Sequence, residues 1–270
     1  MTSPDAELAA PAPSASPSPS SRPVESWLPP SPGPIVRGTV ILFPGRGEHP
    51  GVYERFGRRL AYDAYAVHAV SVSPEDDPAA LRDQVAALAA EAVAPVVLAG
   101  SDTGALHALA LVVEGKVDVE GVLLAATPGA SAASSAFDEL AGSPEWEQEL
   151  ALRTSCPTHR GRLTEDSGFR RGSLFDPVPE RLRAFLELDT AQYESVGPTL
   201  LVHGAADLLA PPALVRAFGS RLPHADLVLV AGAPHDVLND ATHRSVAGAV
   251  VQWLERLRGG APFAPIIEHA

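Results

Sequence analysis

The stretch at residues 95–105 limits the possible folds of this chain more than any other part of the sequence. Its apolar run Val96–Ala99 is typical of a short buried strand, which breaks at Gly100 before helix-forming residues resume. Gly100 and Gly104 place Asp102 in the middle of the turn between strand and helix. Because glycines let a helix pack closely against a strand, the pattern predicts that Asp102 is held on a strained turn at the end of a sheet.

Strand and helix patterns alternate along most of the remaining chain. Apolar, β-branched runs of strand length are followed by segments whose apolar residues recur at helical spacing. Such alternation predicts an α/β fold, in which a mostly parallel sheet is covered by helices on both faces. The predicted strands are 38–43, 65–72, 96–99, 119–126, 198–204 and 225–231, and the predicted helices are 54–62, 78–93, 103–114, 212–221 and 240–258.

Composition and charge argue against several classes of partner. The formal net charge of -13 disfavours binding to nucleic acid and to anionic membranes. Cys156 is the single cysteine, so no disulfide can form within the chain. No apolar run reaches the length of a membrane span, and the first residues lack the basic start and apolar core of a signal peptide. We therefore expect a cytoplasmic protein without a membrane span.

Several motifs resemble those of the α/β-hydrolase superfamily, over about residues 37–258. Besides the turn at Asp102, the loop Pro44-Gly-Arg-Gly-Glu-His-Pro-Gly-Val-Tyr53 is similar to the HGxGEHxGRY loop of monoglyceride lipases and lysophospholipases, with Pro44 in place of histidine. The stretch Leu200-Leu-Val-His-Gly-Ala-Ala-Asp-Leu-Leu-Ala-Pro-Pro212 is similar to the family pattern LxxHGxxDxxxPP. Finally, the segment at residues 230–239 is similar to the GxxHxxLxE loop, with its histidine at position 235.

The resemblance implies a role for each matching residue. Asp102 stands at the nucleophile elbow, Asp207 matches the acid that orients the catalytic histidine, and His235 matches that histidine, in the chain order of the superfamily. The backbone N–H groups of Arg46 and Thr103 match the oxyanion hole. The resemblance also implies an α/β-hydrolase fold with a lid inserted after the strand that follows the elbow.

These motifs and the composition divide the chain into five parts. Residues 1–34 are rich in proline, serine and alanine, which predicts a disordered tail, with Trp27 as a candidate anchor on the domain. Deletion of residues 1–30 is therefore predicted to leave the melting temperature and activity nearly unchanged. The remaining parts are the first core segment at 35–127, the lid at 128–196, the second core segment at 197–260 and a C-terminal tail at 261–270.

The aspartate at the elbow resembles that of haloalkane dehalogenases, fluoroacetate dehalogenases and epoxide hydrolases. A carboxylate is ionised at neutral pH and can displace a leaving group from saturated carbon, which gives an ester that His235 and water can hydrolyse. However, Thr103 stands where those enzymes have tryptophan or arginine, and Tyr193 is the one tyrosine of the predicted lid. Arg46, Arg170 and Arg171 are candidates to receive a carboxylate group of the substrate.

The predicted function is that of a hydrolase acting on a small organic substrate through a covalent intermediate on Asp102. One alternative is a cyclase or lyase of secondary metabolism, in which Asp102 and His235 move protons only. Others are a lipase or esterase-like hydrolase and a binding protein without catalytic activity. No metal or other cofactor is predicted, the remaining histidines are assigned to packing, and the oligomeric state is left open.

Overall fold

A mostly parallel, seven-stranded sheet forms the centre of the protein in the computed structural model, which describes residues 22–115, 117–129, 145–260 and 266. The order of the strands is β1-β3-β2-β4-β5-β6-β7, in which β1 is antiparallel to β3 and every other pair is parallel. This arrangement confirms the predicted α/β fold class. The strands are β1 (Val24–Trp27), β2 (Gly38–Phe43), β3 (Tyr65–Val70), β4 (Val96–Ser101), β5 (Gly121–Ala125), β6 (Thr199–Gly204) and β7 (Ala225–Val230).

Helices cover both faces of the sheet because its inner strands are apolar on both sides. Along β2, Val40 and Leu42 belong to one core and Ile41 and Phe43 to the other. Among the described residues, no helix is long and apolar enough to cross a membrane. The helices are α1 (Glu54–Tyr62), α2 (Pro78–Ala90), α3 (Thr103–Val113), α4 (Trp146–Arg153), α5 (Pro157–Glu165), α6 (Glu180–Arg183), α7 (Pro212–Gly219) and α8 (His243–Arg258), with 3-10 turns at Pro50–Tyr53, Ser173–Phe175, Ala184–Leu186 and Ala191–Tyr193.

The predicted tail over residues 1–34 has to be corrected at Val24–Trp27, which form the edge strand β1. Arg22 forms an ion pair of 2.6 Å with Asp76, and a Cβ atom placed on Gly57 would lie 2.1 Å from the ring of Trp27. The sequence had left open a short antiparallel strand near Val24–Trp27, ahead of the first parallel strand, and β1 lies there. Residues 1–21 lie outside the described part of the chain, so the tail remains a prediction for them.

The lid and the C-terminal tail also remain predictions. Residues 145–196 connect β5 to β6 and contain α4, α5 and α6, but residues 130–144 lie outside the described part of the chain. Most of the segment 261–270 lies outside it as well. The start of the last helix differs from the prediction, since α8 begins at His243 and the carboxylate of Asp240 instead accepts hydrogen bonds from Thr154 and Ser155.

Deletion of residues 1–30 is now expected to lower the melting temperature by about 5 °C or more, because it removes β1 and the contact of Trp27 with α1. Differential scanning calorimetry of the truncated chain measures this. Deletion of residues 2–20 is the matched control, for which the composition predicts little change. An equal melting temperature for the two truncated chains would contradict a structural role of β1.

Candidate active site

Asp102 lies on a sharp turn between β4 and α3, as its position in the sequence predicts. Its backbone has φ 51° and ψ -123°, a conformation that is unfavourable for a residue with a side chain. The two glycines allow this geometry. A Cβ atom on Gly100 would lie 2.2 Å from the carbonyl of Gly104, and one on Gly104 would lie 2.2 Å from the carbonyl oxygen of Phe43. The turn therefore needs glycine at both positions.

Gly104→Ala is expected to destabilise the protein by about 3 kcal/mol or more, because the added methyl group would overlap the backbone of β2. Gly248→Ala is a matched control, since Gly248 lies inside α8 and a methyl group added there would have no atom within 4 Å. That control is expected to be neutral or to stabilise the helix by about 0.5–1 kcal/mol. Urea denaturation of both variants compares the two changes. Equal stability of the two variants would show that the turn tolerates a side chain at position 104.

His235 connects Asp102 with Asp207. Its Nδ1 atom lies 2.8 Å from Oδ2 of Asp207, and its Nε2 atom lies 3.5 Å from Oδ1 of Asp102. The first distance is that of a hydrogen bond, whereas the second is too long for one, and Nε2 has no hydrogen-bond partner among the described residues. The three side chains predicted from separate motifs therefore meet at the carboxyl end of the sheet, with Nε2 facing the carboxylate at the elbow.

The loops that carry Asp207 and His235 are fixed by backbone contacts. Oδ1 of Asp207 accepts hydrogen bonds from the N–H groups of Leu209 and Ala210, which leaves Oδ2 for His235. Oδ2 also lies 3.3 Å from Nε2 of His203. From the sequence, His203 was expected only to pack in the core, so its contact with Asp207 is an addition. The N–H of His235 itself donates to the carbonyl of Leu152 at the end of α4.

The charges around His235 favour its protonated form. Burial lowers the pKa of His235, but the carboxylates of Asp207 and Asp102 more than offset this effect and raise it to about 10. Burial raises the pKa of Asp207, while the imidazole of His235 reverses that shift and leaves the pKa below its usual value. The position of His235 between two carboxylates therefore favours the imidazolium form.

Arg46 contacts both oxygens of the Asp102 carboxylate. Its backbone N–H and its Nε donate to Oδ2 over 3.0 and 2.7 Å, and its Nη2 donates to Oδ1 over 2.9 Å. The pair is buried, with 4% of Arg46 and 2% of Asp102 exposed. Burial raises the pKa of Asp102, but the guanidinium of Arg46 and the imidazole of His235 hold the pKa well below its usual range. The carboxylate is therefore ionised, and it is paired on both oxygens.

The backbone N–H of Arg46, one of the two predicted oxyanion-hole donors, contacts the carboxylate of Asp102. The N–H that donates to Oδ2 would stabilise negative charge on that oxygen if the carboxyl carbon of Asp102 became tetrahedral. Thr103, the second predicted donor, is the first residue of α3 and is buried beside the carboxylate. The side chain of Arg46 was predicted only as one of three arginines that could bind a carboxylate.

The other two candidate arginines and the lid tyrosine lie elsewhere. Arg170 forms an exposed ion pair of 2.8 Å with Asp176, and Arg171 lies over the ring of Trp146. Tyr193 is buried in the core, where its hydroxyl donates to the carbonyl of Phe185. None of these three side chains contacts Asp102, so Arg46 is the arginine that the fold brings to the elbow.

A second cluster of buried charges, centred on Arg153, lies next to the site. The sequence analysis did not predict this cluster. Arg153 lies 3.0 Å from Glu149, 3.4 Å from Asp236 and 4.0 Å from Glu48, and it also donates to the backbone carbonyl of Arg46 over 2.8 Å. Burial and the charge of Asp236 raise the pKa of Glu48, whereas Arg153 lowers the pKa of Asp236 in spite of its burial. The cluster ties the loop of Arg46 to that of His235.

One part of this cluster has the donors of a metal site. Glu48, His159 and Asp236 could each offer one atom, all within 4.8 Å of one another. However, Nε2 of His159 already lies 3.2 Å from Oδ2 of Asp236, and the guanidinium of Arg153 supplies positive charge to both carboxylates. We therefore interpret these side chains as a structural network that positions the loops of Arg46 and His235.

The comparisons with known proteins agree with the fold. The family model described as "Alpha/beta hydrolase family" matches residues 40–249. Among curated proteins, no sequence matches this chain. Three similar solved structures each align with 87% of this chain. They are the monoacylglycerol lipase of Paleococcus ferrophilus (18% identity, 99% of its chain, TM-score 0.66), a soluble variant of the Saccharomyces cerevisiae monoglyceride lipase (16%, 91%, 0.66) and a thermostable carboxyl esterase from Bacillus coagulans (16%, 94%, 0.62).

Proposed function

Because this chain belongs to the alpha/beta hydrolase family, we propose that it is a hydrolase of small organic substrates that forms an ester on Asp102. The observation that carries the proposal is the position of Nε2 of His235, 3.5 Å from the elbow carboxylate, while Nδ1 is held by Asp207. A serine at the elbow would need a base to remove its proton, whereas Asp102 is ionised already.

The two oxygens of Asp102 have different surroundings, which assigns a role to each. Oδ2 accepts the backbone N–H of Arg46 and would remain in the oxyanion hole as the carbonyl oxygen of the ester. Oδ1 faces His235 and would attack the substrate carbon, whose bond to the leaving group breaks with the electron pair on the leaving group. Water then attacks the carboxyl carbon of Asp102, and the alcohol product departs with Oδ1.

His235 would change its protonation state during this cycle. The negative charge of Asp102 is one cause of the raised pKa of His235, and that charge is lost when the ester forms. The imidazolium can then give its proton to the leaving group and becomes the base that deprotonates the attacking water. Completion of hydrolysis restores the carboxylate of Asp102 and the imidazolium, so that one water is consumed for each substrate.

Single-turnover hydrolysis in oxygen-18 water tests this proposal, with a substrate found in a screen of alkyl halides, epoxides and carboxylic esters. We expect the label in the Asp102 peptide after one turnover and unlabelled oxygen in the product, because water attacks the enzyme and not the substrate. Peptide mass spectrometry locates the label. Direct entry of the label into the first product would contradict an ester on Asp102.

The contact of Arg46 Nη2 with Oδ1 favours a second candidate, a non-hydrolytic enzyme such as a cyclase or lyase. A hydrogen bond from a guanidinium lowers the nucleophilicity of Oδ1. Proton transfer by the imidazolium of His235, in contrast, does not require an oxygen that is free to attack. Under this alternative, substrate is converted without uptake of oxygen from water into either the product or Asp102. The same labelling experiment therefore separates the two candidates.

A further inference from the structure

The guanidinium of Arg46 covers the oxygen of Asp102 that a covalent mechanism needs. Nη2 donates to Oδ1 over 2.9 Å and Nε donates to Oδ2 over 2.7 Å, so that the planar group spans the carboxylate in the paired geometry of an arginine–carboxylate fork. Asp102, His235 and Arg46 are all buried. A substrate carbon can approach Oδ1 only after Nη2 has moved away from it.

Among the described residues, Asp102 is the carboxylate with which Arg46 forms an ion pair. Its third contact, from Nη1, is with a backbone carbonyl, that of Asp176. The carboxylate of Asp176 is paired with Arg170 at 2.8 Å. Leaving a buried guanidinium without an anion is strongly unfavourable, so a substrate that carries its own negative charge can separate Arg46 from Asp102 at a lower cost than a neutral one.

The nearby buried carboxylates are engaged as well. Arg153 is shared among Glu48, Glu149 and Asp236. These three carboxylates also have hydrogen-bond partners, namely Tyr53, Gly172 and His159 respectively. The guanidinium of Arg46 matches one carboxylate group in charge and in its two parallel hydrogen bonds. Arg46 and protonated His235 are already balanced by Asp102 and Asp207, so a dianion would add more uncompensated negative charge than a single carboxylate group does.

We propose that Arg46 receives a carboxylate group of the substrate in exchange for Oδ1 of Asp102, and that the substrate is a small monoanionic organic acid. This inference rests on the proposed function, because it names the substrate class of the same site. The exchange keeps the guanidinium paired at every stage. Binding of the acid frees Oδ1 for attack, and when Asp102 becomes a neutral ester, the carboxylate of the bound acid remains as the partner of Arg46.

The chemical balance of the reaction is that of hydrolysis. Oδ1 forms a bond to the carbon that carries the leaving group, and that carbon's bond to the leaving group breaks with both electrons on the leaving group, which takes the proton of His235. Water then adds its oxygen to the carboxyl carbon of Asp102 and gives one proton to His235, and the bond between that carbon and Oδ1 breaks. The second proton of the water passes to the hydroxy acid, which departs with Oδ1, and Asp102 is again a carboxylate. The net change converts the substituted acid and one water into the hydroxy acid and the protonated leaving group.

The recognition step can be tested apart from catalysis, with acetate as the probe and acetamide as its neutral analogue. Asp102→Asn removes the charge that competes for Arg46, so isothermal titration calorimetry should show acetate binding at least tenfold more tightly to this variant than to the original chain. Acetamide should not bind. Adding Arg46→Met to Asp102→Asn should abolish acetate binding, whereas adding Arg170→Met or Arg171→Met should leave it unchanged. The inference would be overturned if acetate did not bind the Asp102→Asn variant, or if it still bound after Arg46→Met was added. It would also be overturned if acetamide bound with the same affinity as acetate.

A second measurement keeps Asp102 in place and separates the two proposals. In the His235→Gln, Cys156→Ala chain, bromoacetate should alkylate Asp102 at least tenfold faster than bromoacetamide does, as read by peptide mass spectrometry. Equal rates would overturn the role of Arg46 while supporting the covalent ester. If neither reagent modifies Asp102 but acetate binds Asp102→Asn through Arg46, the ester mechanism fails and the carboxylate site stands.

Discussion

Asp102→Asn is expected to remove turnover, with a loss in kcat of at least about 10⁴-fold, because an amide is a poor nucleophile and cannot form the ester. The same change takes away the carboxylate partner of the buried guanidinium of Arg46. We therefore also expect the free energy of unfolding to fall by about 3 kcal/mol. Steady-state kinetics and urea denaturation of the same preparation measure the two effects, and circular dichroism shows whether the variant is folded.

Asp83→Asn serves as the control for loss of a carboxylate. Asp83 lies on the surface of α2 with 82% of its side chain exposed, beside Arg82, so its replacement should leave both kcat and stability nearly unchanged. A folded Asp102→Asn protein with more than about one-tenth of the original activity would be incompatible with a nucleophile at the elbow. In that case the carboxylate of Asp102 would serve only to hold Arg46.

His235→Gln is expected to stop the reaction halfway, which is a different outcome from that of Asp102→Asn. With a halide as the leaving group, which needs no proton from His235, the ester can still form on Oδ1 of Asp102, but no base remains to activate water. Product release should end after one equivalent, and the mass of the protein should increase by that of the bound group. Rapid-quench kinetics with intact-protein mass spectrometry follow both quantities in one experiment.

His68→Gln is a suitable control for the loss of an imidazole. The ring of His68 contacts Ser26 at 2.8 Å where β1 pairs with β3, away from the elbow, so this variant should turn over without accumulating an adduct. Failure of His235→Gln to accumulate any adduct under single-turnover conditions would count against the covalent mechanism. Proton transfer between Asp102 and His235 would then be the better account of the site.

Features that depend on local patterns could be predicted from the amino-acid sequence alone. Apolar runs and helical spacing predicted the strands and helices of the sheet, and β2 and α1 begin and end where the pattern placed them. The spacing of Gly100 and Gly104 around Asp102 predicted the turn, since only glycine fits where backbones approach within 2.2 Å. The family motifs predicted that Asp207 and His235 act together, and the structure places Oδ2 of Asp207 2.8 Å from Nδ1 of His235, because loops at the carboxyl ends of parallel strands meet at one edge of the sheet. Their catalytic roles remain predictions.

The charges that meet at that edge became known only from the three-dimensional structure. Nothing in the spacing of Arg46 and Asp102 shows that their side chains pair on both carboxylate oxygens, and arginine in a loop is ordinarily exposed to solvent. The cluster around Arg153 likewise joins residues from separate segments of the chain. Such pairs follow from the three-dimensional path of the backbone and from the need to neutralise buried charge, and neither can be read from the neighbouring residues.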